Sequence, residues 1–269
     1  PPASLAAFRD NPNFIVHEET GPHLWFLILN TREGPFSDKR VRQAVNYAID
    51  KESLIEDLLQ GTAEIAAGPI PPAFDWANDG SVQPYPHDPE KARELIRQAG
   101  VEGASLTFYV AEGGSGMLDP VAMAEAIQAD LKAVGLNARI ETYEWNTFLS
   151  NVNPGLAGKA DMAEMAWMTN DPDTLPFLAL RSDAMPETGG FNAGYYANAE
   201  VDRLLAEARR TTDPAARGAL YNQVQAIIHE EAPWAFIANW KQNAVATTAI
   251  ENFDLEPSFL MLLRGVSKG

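Results

Sequence analysis

The chain has 269 residues, a formal net charge of −17 at pH 7, and no cysteine. Such an acidic surface repels phosphate backbones and anionic lipid, which argues against nucleic acid or a membrane surface as a partner. The missing thiols exclude disulfides, zinc–thiolate sites and cysteine nucleophiles.

The chain opens on Pro1-Pro2-Ala3 without a Met, as expected of a processed chain or a piece of a longer one. Residues 1–23 are polar and broken by Pro12, Gly21 and Pro22. His23 to Asn30 then reads as a buried strand, short, apolar and bounded by turn residues. Its apolar core, Leu24 to Leu29, is far too short to cross a bilayer. After Gly34-Pro35, Ser37 is placed to cap a helix from about Asp38, with Val41, Ala44, Val45 and Ala48 on one face. A second helix is expected after Asp50, stopped by Gly61. Residues 68–86 are rich in Pro and Gly, yet Phe74, Trp76 and Tyr85 need surfaces to pack on, so an ordered loop is predicted. Asp88-Pro89 starts the next helix, cap first and Pro in the first turn.

Leu106 to Val110, a helix opened by Asp119-Pro120, and Leu136 to Ile140 form a predicted βαβ unit with parallel strands. A short helix is predicted from Asn146 to Val152. Asp161 to Trp167 reads as another buried strand, ending in the loop Met168-Thr169-Asn170-Asp171-Pro172-Asp173. Asn198 and Asp213 cap two further helices, and Trp234 to Trp240 reads as a strand. The tail from Glu251 carries Phe253, Phe259 and Leu260. Strands alternating with helices indicate an α/β lobe.

Few residues are arranged for catalysis. His17, His23, His87 and His229 have no partner at metal-binding spacing, and each reads as a surface or capping residue. Gly113-Gly114-Ser115-Gly116 lacks the Lys-Ser/Thr of a phosphate loop and the second Gly of a nucleophile elbow. It reads as a turn feeding a helix N-terminus, a place where ligands bind. Asp171 and Asp173 follow a buried strand, where α/β folds place their ligand loops. Trp145 and Trp167 flank polar residues in the manner of a small-molecule pocket, although core tryptophans read the same way. A hydrolase using the loop carboxylates and a sensory or chaperone-like binding module are the alternatives. The first lacks a nucleophile, a paired base or a metal.

Four stretches carry a family resemblance: Gly34 to Lys51 (GPFSDKRVRQAVNYAIDK), Gly68 to Pro72, Tyr85 to Gly100, and Tyr195 to Asp202 with Glu230-Glu231-Ala232-Pro233-Trp234. In this order they resemble the extracytoplasmic solute-binding proteins that serve peptide, glutathione and nickel-chelate ABC importers. The resemblance implies a periplasmic-binding-protein-like α/β lobe, with a parallel-rich mixed sheet flanked by helices, from the C-terminal half of a two-lobed receptor. Residues 1–31 would end the first lobe, 32–241 would form the second, and 242–269 would return to the first. It also implies a non-enzymatic, periplasmic binding component that captures a peptide or related small polar solute, with importer membrane subunits as partners and no cofactor. Trp145 and Trp167 match pocket tryptophans of peptide receptors. The acidic residue that grips the ligand's amine matches Asn170 without a gap, so the neighbouring Asp171 is the expected amine partner, with Asp173 behind it. Glu164 stands where oligopeptide receptors carry a basic residue, which favours a more cationic ligand.

Overall fold

The computed structural model describes residues 2–258 and 260–269; Phe259, one of the tail aromatics noted above, lies outside the described residues. After α1 (Pro2–Arg9), the first strand, β1, runs from Phe14 to Leu29. It is twice as long as the sequence suggests and has two zones. Phe14 to Thr20 pair only with the far end of β6 (Trp234–Thr247) as a two-stranded ribbon. A register shift between Thr20 and Leu24 then turns the strand into the main sheet, where Leu24 to Leu29 are fully buried. The ribbon was not apparent from the sequence because its two strands satisfy each other's backbone, and half-exposed ribbons need little apolar alternation.

The helices follow their caps. Asp38, not Ser37, caps α2 (Lys39–Ala48), its carboxylate accepting from the Arg40 N–H. Ser37 instead donates to the Gly34 carbonyl. The helix expected after Asp50 is only one turn, α3 (Lys51–Ser53), which widens into a π-turn over Leu54–Leu58. Asp88, Asn198 and Asp213 each accept from the first-turn N–H groups of α4 (Pro89–Ala99), α8 (Ala199–Ala208) and α9 (Pro214–Glu231), as such residues do at helix N-termini.

The main sheet has the order β2-β6-β1-β5-β3-β4, with β2 at Ala63–Ile65, β3 at Ser105–Ala111, β4 at Asn137–Tyr143 and β5 at Met162–Met168. β3 pairs in parallel with β4 and β5, and α5 (Pro120–Ala133) makes the crossover. β1 pairs antiparallel with β5 and β6. The result is the expected α/β lobe with a mixed sheet. Side-chain alternation sends Trp25, Leu27 and Met162 into one core, beneath α2, α4 and α5. Phe26, Ile28, Ala163 and Met165 enter a second core under α6 (Trp145–Val152), α8 and α9. The 68–86 loop packs on α9. Tyr85 stacks on His229 at 4.2 Å, and the Trp76 carbonyl lies against Gly218, where a Cβ would be 2.2 Å away.

Candidate ligand-binding cleft

A cleft of about 540 Å³ opens at the C-terminal ends of β3 and β5. Here the direction of strand pairing changes across β5, from parallel with β3 to antiparallel with β1. In α/β sheets ligands bind in the crevice outside the carboxyl ends of the strands. The wall is formed by Trp145 and Leu149 of α6, Met165 to Met168 of β5, His23, Ser115, Gly116, Asn153 and Phe191. The structure therefore brings Trp145 and Trp167 together in one cleft. Trp145 stacks on Phe148 at 5.7 Å, and Phe191 meets Trp167 edge-on at 5.3 Å.

The glycine turn has a steric purpose that the motif comparison missed. The Trp145 ring lies flat against Gly114, where a Cβ would come within 2.3 Å of it. Gly116 has φ +76, and a Cβ there would sit 2.2 Å from His23 Nε2. The loop is fastened by the Trp240 indole N–H donating to the Gly116 carbonyl at 2.7 Å, and by the Trp25 indole N–H directed at Met117 Sδ at 3.2 Å. His23 corrects the sequence reading: it is a buried wall residue, not a surface or capping one. Burial holds its imidazole down at about 3, so it is neutral at physiological pH.

The four other candidate residues are outside the cleft lining, each for a definite reason. Asn170 is exposed on the loop beyond β5. Asp171 is committed to starting α7 (Thr174–Ala179). One oxygen accepts from the Asp173 and Thr174 N–H groups at 2.9 and 2.8 Å, and the other from the Thr174 hydroxyl at 2.6 Å. Asp173 is buried behind it, accepting from Arg209 Nε at 2.7 Å and the Tyr221 hydroxyl at 3.0 Å. It ties the start of α7 to α8 and α9. Glu164 is fully buried and outside the lining, two residues along β5 from Ala166, whose sheet face it shares. Its Oε1 accepts from the Ala111 N–H at 2.7 Å, where the paired residues of β3 and β5 have already ended at Tyr109 and Ala163. Its Oε2 has no hydrogen-bond partner. Burial pushes this carboxyl up to about 8, so it is mainly protonated at pH 7.

Asp173→Ala is expected to lower stability by about 2 kcal/mol, because Tyr221 loses its acceptor in a buried site while the half-exposed Arg209 rehydrates. Ligand affinity should hold. Urea denaturation beside a ligand titration checks this, and lost affinity at unchanged stability would return Asp173 to the binding site.

Among the described residues, no group of three or more His, Asp or Glu side chains is gathered to hold a metal ion. Among the described residues, no helix is long and apolar enough to cross a membrane.

The family profile described as "Bacterial extracellular solute-binding proteins, family 5 Middle" matches residues 1–185. The chain is 32% identical over 269 residues to heme-binding protein A of Haemophilus influenzae, covering 98% of this chain and 48% of that one. It is 35% identical over 243 residues to the dipeptide-binding protein of Escherichia coli, covering 88% and 44%. Among solved structures, HbpA2 of Haemophilus parasuis superposes with a TM-score of 0.90 at 26% identity, over 99% of this chain and 52% of that one. The periplasmic binding protein DppA of Helicobacter pylori, in complex with the peptide STSA, gives 0.82 at 28% identity, over 96% and 49%. The chain thus spans about half the length of these relatives. The match over residues 1–185, together with a fold shared along nearly the whole chain, shows that it belongs to the family 5 bacterial extracellular solute-binding proteins.

Proposed function

We propose that this chain is one lobe of a two-lobed, periplasmic receptor that captures a peptide or related small polar solute and delivers it to the membrane subunits of an ABC importer. Residues 32–241 together with the His23–Leu29 end of β1 form the ligand-binding lobe. The β1–β6 ribbon and the terminal segments beyond it lead into the other lobe. The observation that carries the reading is the cleft itself: Trp145 and Trp167 share one wall at the switch point of the sheet, open to whatever closes over it. The mechanism is closure. Ligand between the lobes loses water and shifts the hinge equilibrium toward the closed form, by as much as it favours that form. Relatives named for their ligands bind heme, dipeptides and di- or tripeptides, which supports a non-enzymatic role.

The test is a thermal-shift screen of the full receptor that carries this lobe, against dipeptides, oligopeptides, glutathione, opine-like conjugates and nickel chelates. A ligand at about a hundred times its Kd adds roughly 2.7 kcal/mol of stability. The expected result is a shift with at least one class, lost in Trp145→Ala and Trp167→Ala. A shift that survives both substitutions would remove the cleft from the reading, and no shift with any class would remove solute capture.

A further inference from the structure

The cleft wall is electrically neutral. Its lining holds two tryptophans, a phenylalanine, two methionines, a leucine and an alanine, with Ser115, Asn153 and the Gly116 backbone as polar points. The lining contains no carboxylate, ammonium or guanidinium, and its single titratable group is His23. Nearby acids exist, but each is engaged elsewhere or lies outside the lining. Glu144, next to Trp145, caps α6 by accepting from the Asn146 and Thr147 N–H groups. Asp171 accepts from the Asp173 and Thr174 N–H groups and the Thr174 hydroxyl, Asp173 holds Arg209 and Tyr221, and Glu164 is buried outside the lining, accepting from the Ala111 N–H. Glu112 is exposed on the glycine loop, outside the lining. A carboxylate already satisfied by helix N–H groups gains little from an ammonium, and turning it outward would uncap its helix.

We infer that the ligand presents an uncharged apolar or aromatic group to this lobe, and that any charged end it carries is held by the opposite lobe. An ammonium placed against this wall would give up its water for indole, thioether and aliphatic surfaces, with no counter-charge to replace it. An aromatic or branched aliphatic group gains the same surfaces at no such cost, and its ring meets Trp145, Trp167 and Phe191 in edge or offset contact. The aim of the sequence reading, an acid beside Trp167 gripping an amine, is thereby reversed: the position matched to that acid is the neutral Asn170, and Asp171 is occupied. This inference rests on the cleft being the ligand site, as proposed above.

The experiment uses three probes with one ring and different charge: N-acetyl-phenylalaninamide, neutral; phenylalaninamide, cationic at pH 6; and N-acetyl-phenylalanine, anionic. Each is titrated into the 15N-labelled chain at pH 6 while the indole N–H signals of Trp145 and Trp167 are followed, assigned by Trp→Phe substitution. The neutral probe is expected to shift both signals with an affinity about tenfold above that of either charged probe, the cost of roughly one desolvated, unpaired charge. Asn153→Asp, which puts a carboxylate on the wall without changing side-chain shape, is expected to improve phenylalaninamide about fivefold relative to the neutral probe, the upper range for a partly exposed ion pair. A cation that binds as well as or better than the neutral probe in the unmodified chain would overturn the inference while leaving the cleft as the ligand site. Indole signals that ignore all three probes would overturn both.

Discussion

Gly116→Ala is expected to destabilise the chain by about 3 kcal/mol, the sum of a left-handed backbone imposed on a residue with a Cβ and an overpacked contact. At φ +76 the added methyl would lie 2.2 Å from His23 Nε2 and 3.3 Å from the Ala166 Cβ. Neither neighbour can yield easily. His23 is 5% exposed, and Ala166 is held in β5 by its pairing with Trp25. Gly103→Ala is the internal control. Its φ is +78 but nothing lies within 4 Å of the added atom, so only the backbone cost remains, about 1 kcal/mol. Urea denaturation of both variants separates the two costs, and equal losses would show that the glycine loop is not pressed against the sheet. Gly114→Ala completes the set. It lacks the positive φ, and the atoms nearest its methyl belong to the Trp145 ring. The loop is exposed there, so the ring is expected to move aside, weakening ligand binding more than folding.

Glu164→Gln is expected to stabilise the chain at neutral pH and to flatten its pH dependence. Folding raises this carboxyl from its ordinary 4.5 to about 8, with burial as the larger cause and the Ala111 hydrogen bond opposing it. The native state therefore keeps a proton that the unfolded chain has released across that window. Stability from this group is highest below 4.5, falls as pH rises, and levels off above about 8, a loss of roughly a few kcal/mol in all. Glutamine keeps the acceptor for Ala111 and cannot ionise. Two other buried groups slope the other way. His23, lowered to about 3, adds stability as pH rises toward 6.5, and Lys51, lowered to about 7 by burial, does so from there toward 10.5. The difference between variant and native chain, measured by denaturation from about pH 5 to pH 8, isolates Glu164. A difference that does not grow with pH would mean that the carboxyl ionises freely and is not sealed between β3 and β5.

Position 164 also marks the limit of reasoning from residue type. An acid in place of a base implies a cationic ligand only if its side chain faces the ligand. On β5 the alternation sends Met165 and Trp167 to the α6 side, and Glu164 to the α2 side. That face is set by the register with β1, in which Leu27 pairs with Glu164. Asp171 is a similar case. Its place after a buried strand suggested a ligand group, whereas the same place, three residues ahead of Thr174, also suits an Asx turn that leads into a helix. Both uses fit the sequence, and in the structure the Asp171 carboxylate accepts from Asp173 and Thr174.

What the sequence by itself determined was local and chemical. The βαβ unit, the caps at Asp88, Asn198 and Asp213, the ordered aromatic loop over 68–86 and the tryptophan pair were all legible, because periodicity, capping and turn preferences act over a few residues. The family segments were legible for the same reason, each being a contiguous stretch. The tertiary structure alone decided which acids are spent on folding, that His23 belongs to the wall, and that Gly114 and Gly116 are spacers for two rings. Those outcomes join residues far apart in the chain, Glu164 to Ala111, Asp173 to Arg209 and Gly116 to Trp240. Burial and competition for hydrogen bonds are properties of the assembled sheet and helices, so no local pattern carries them.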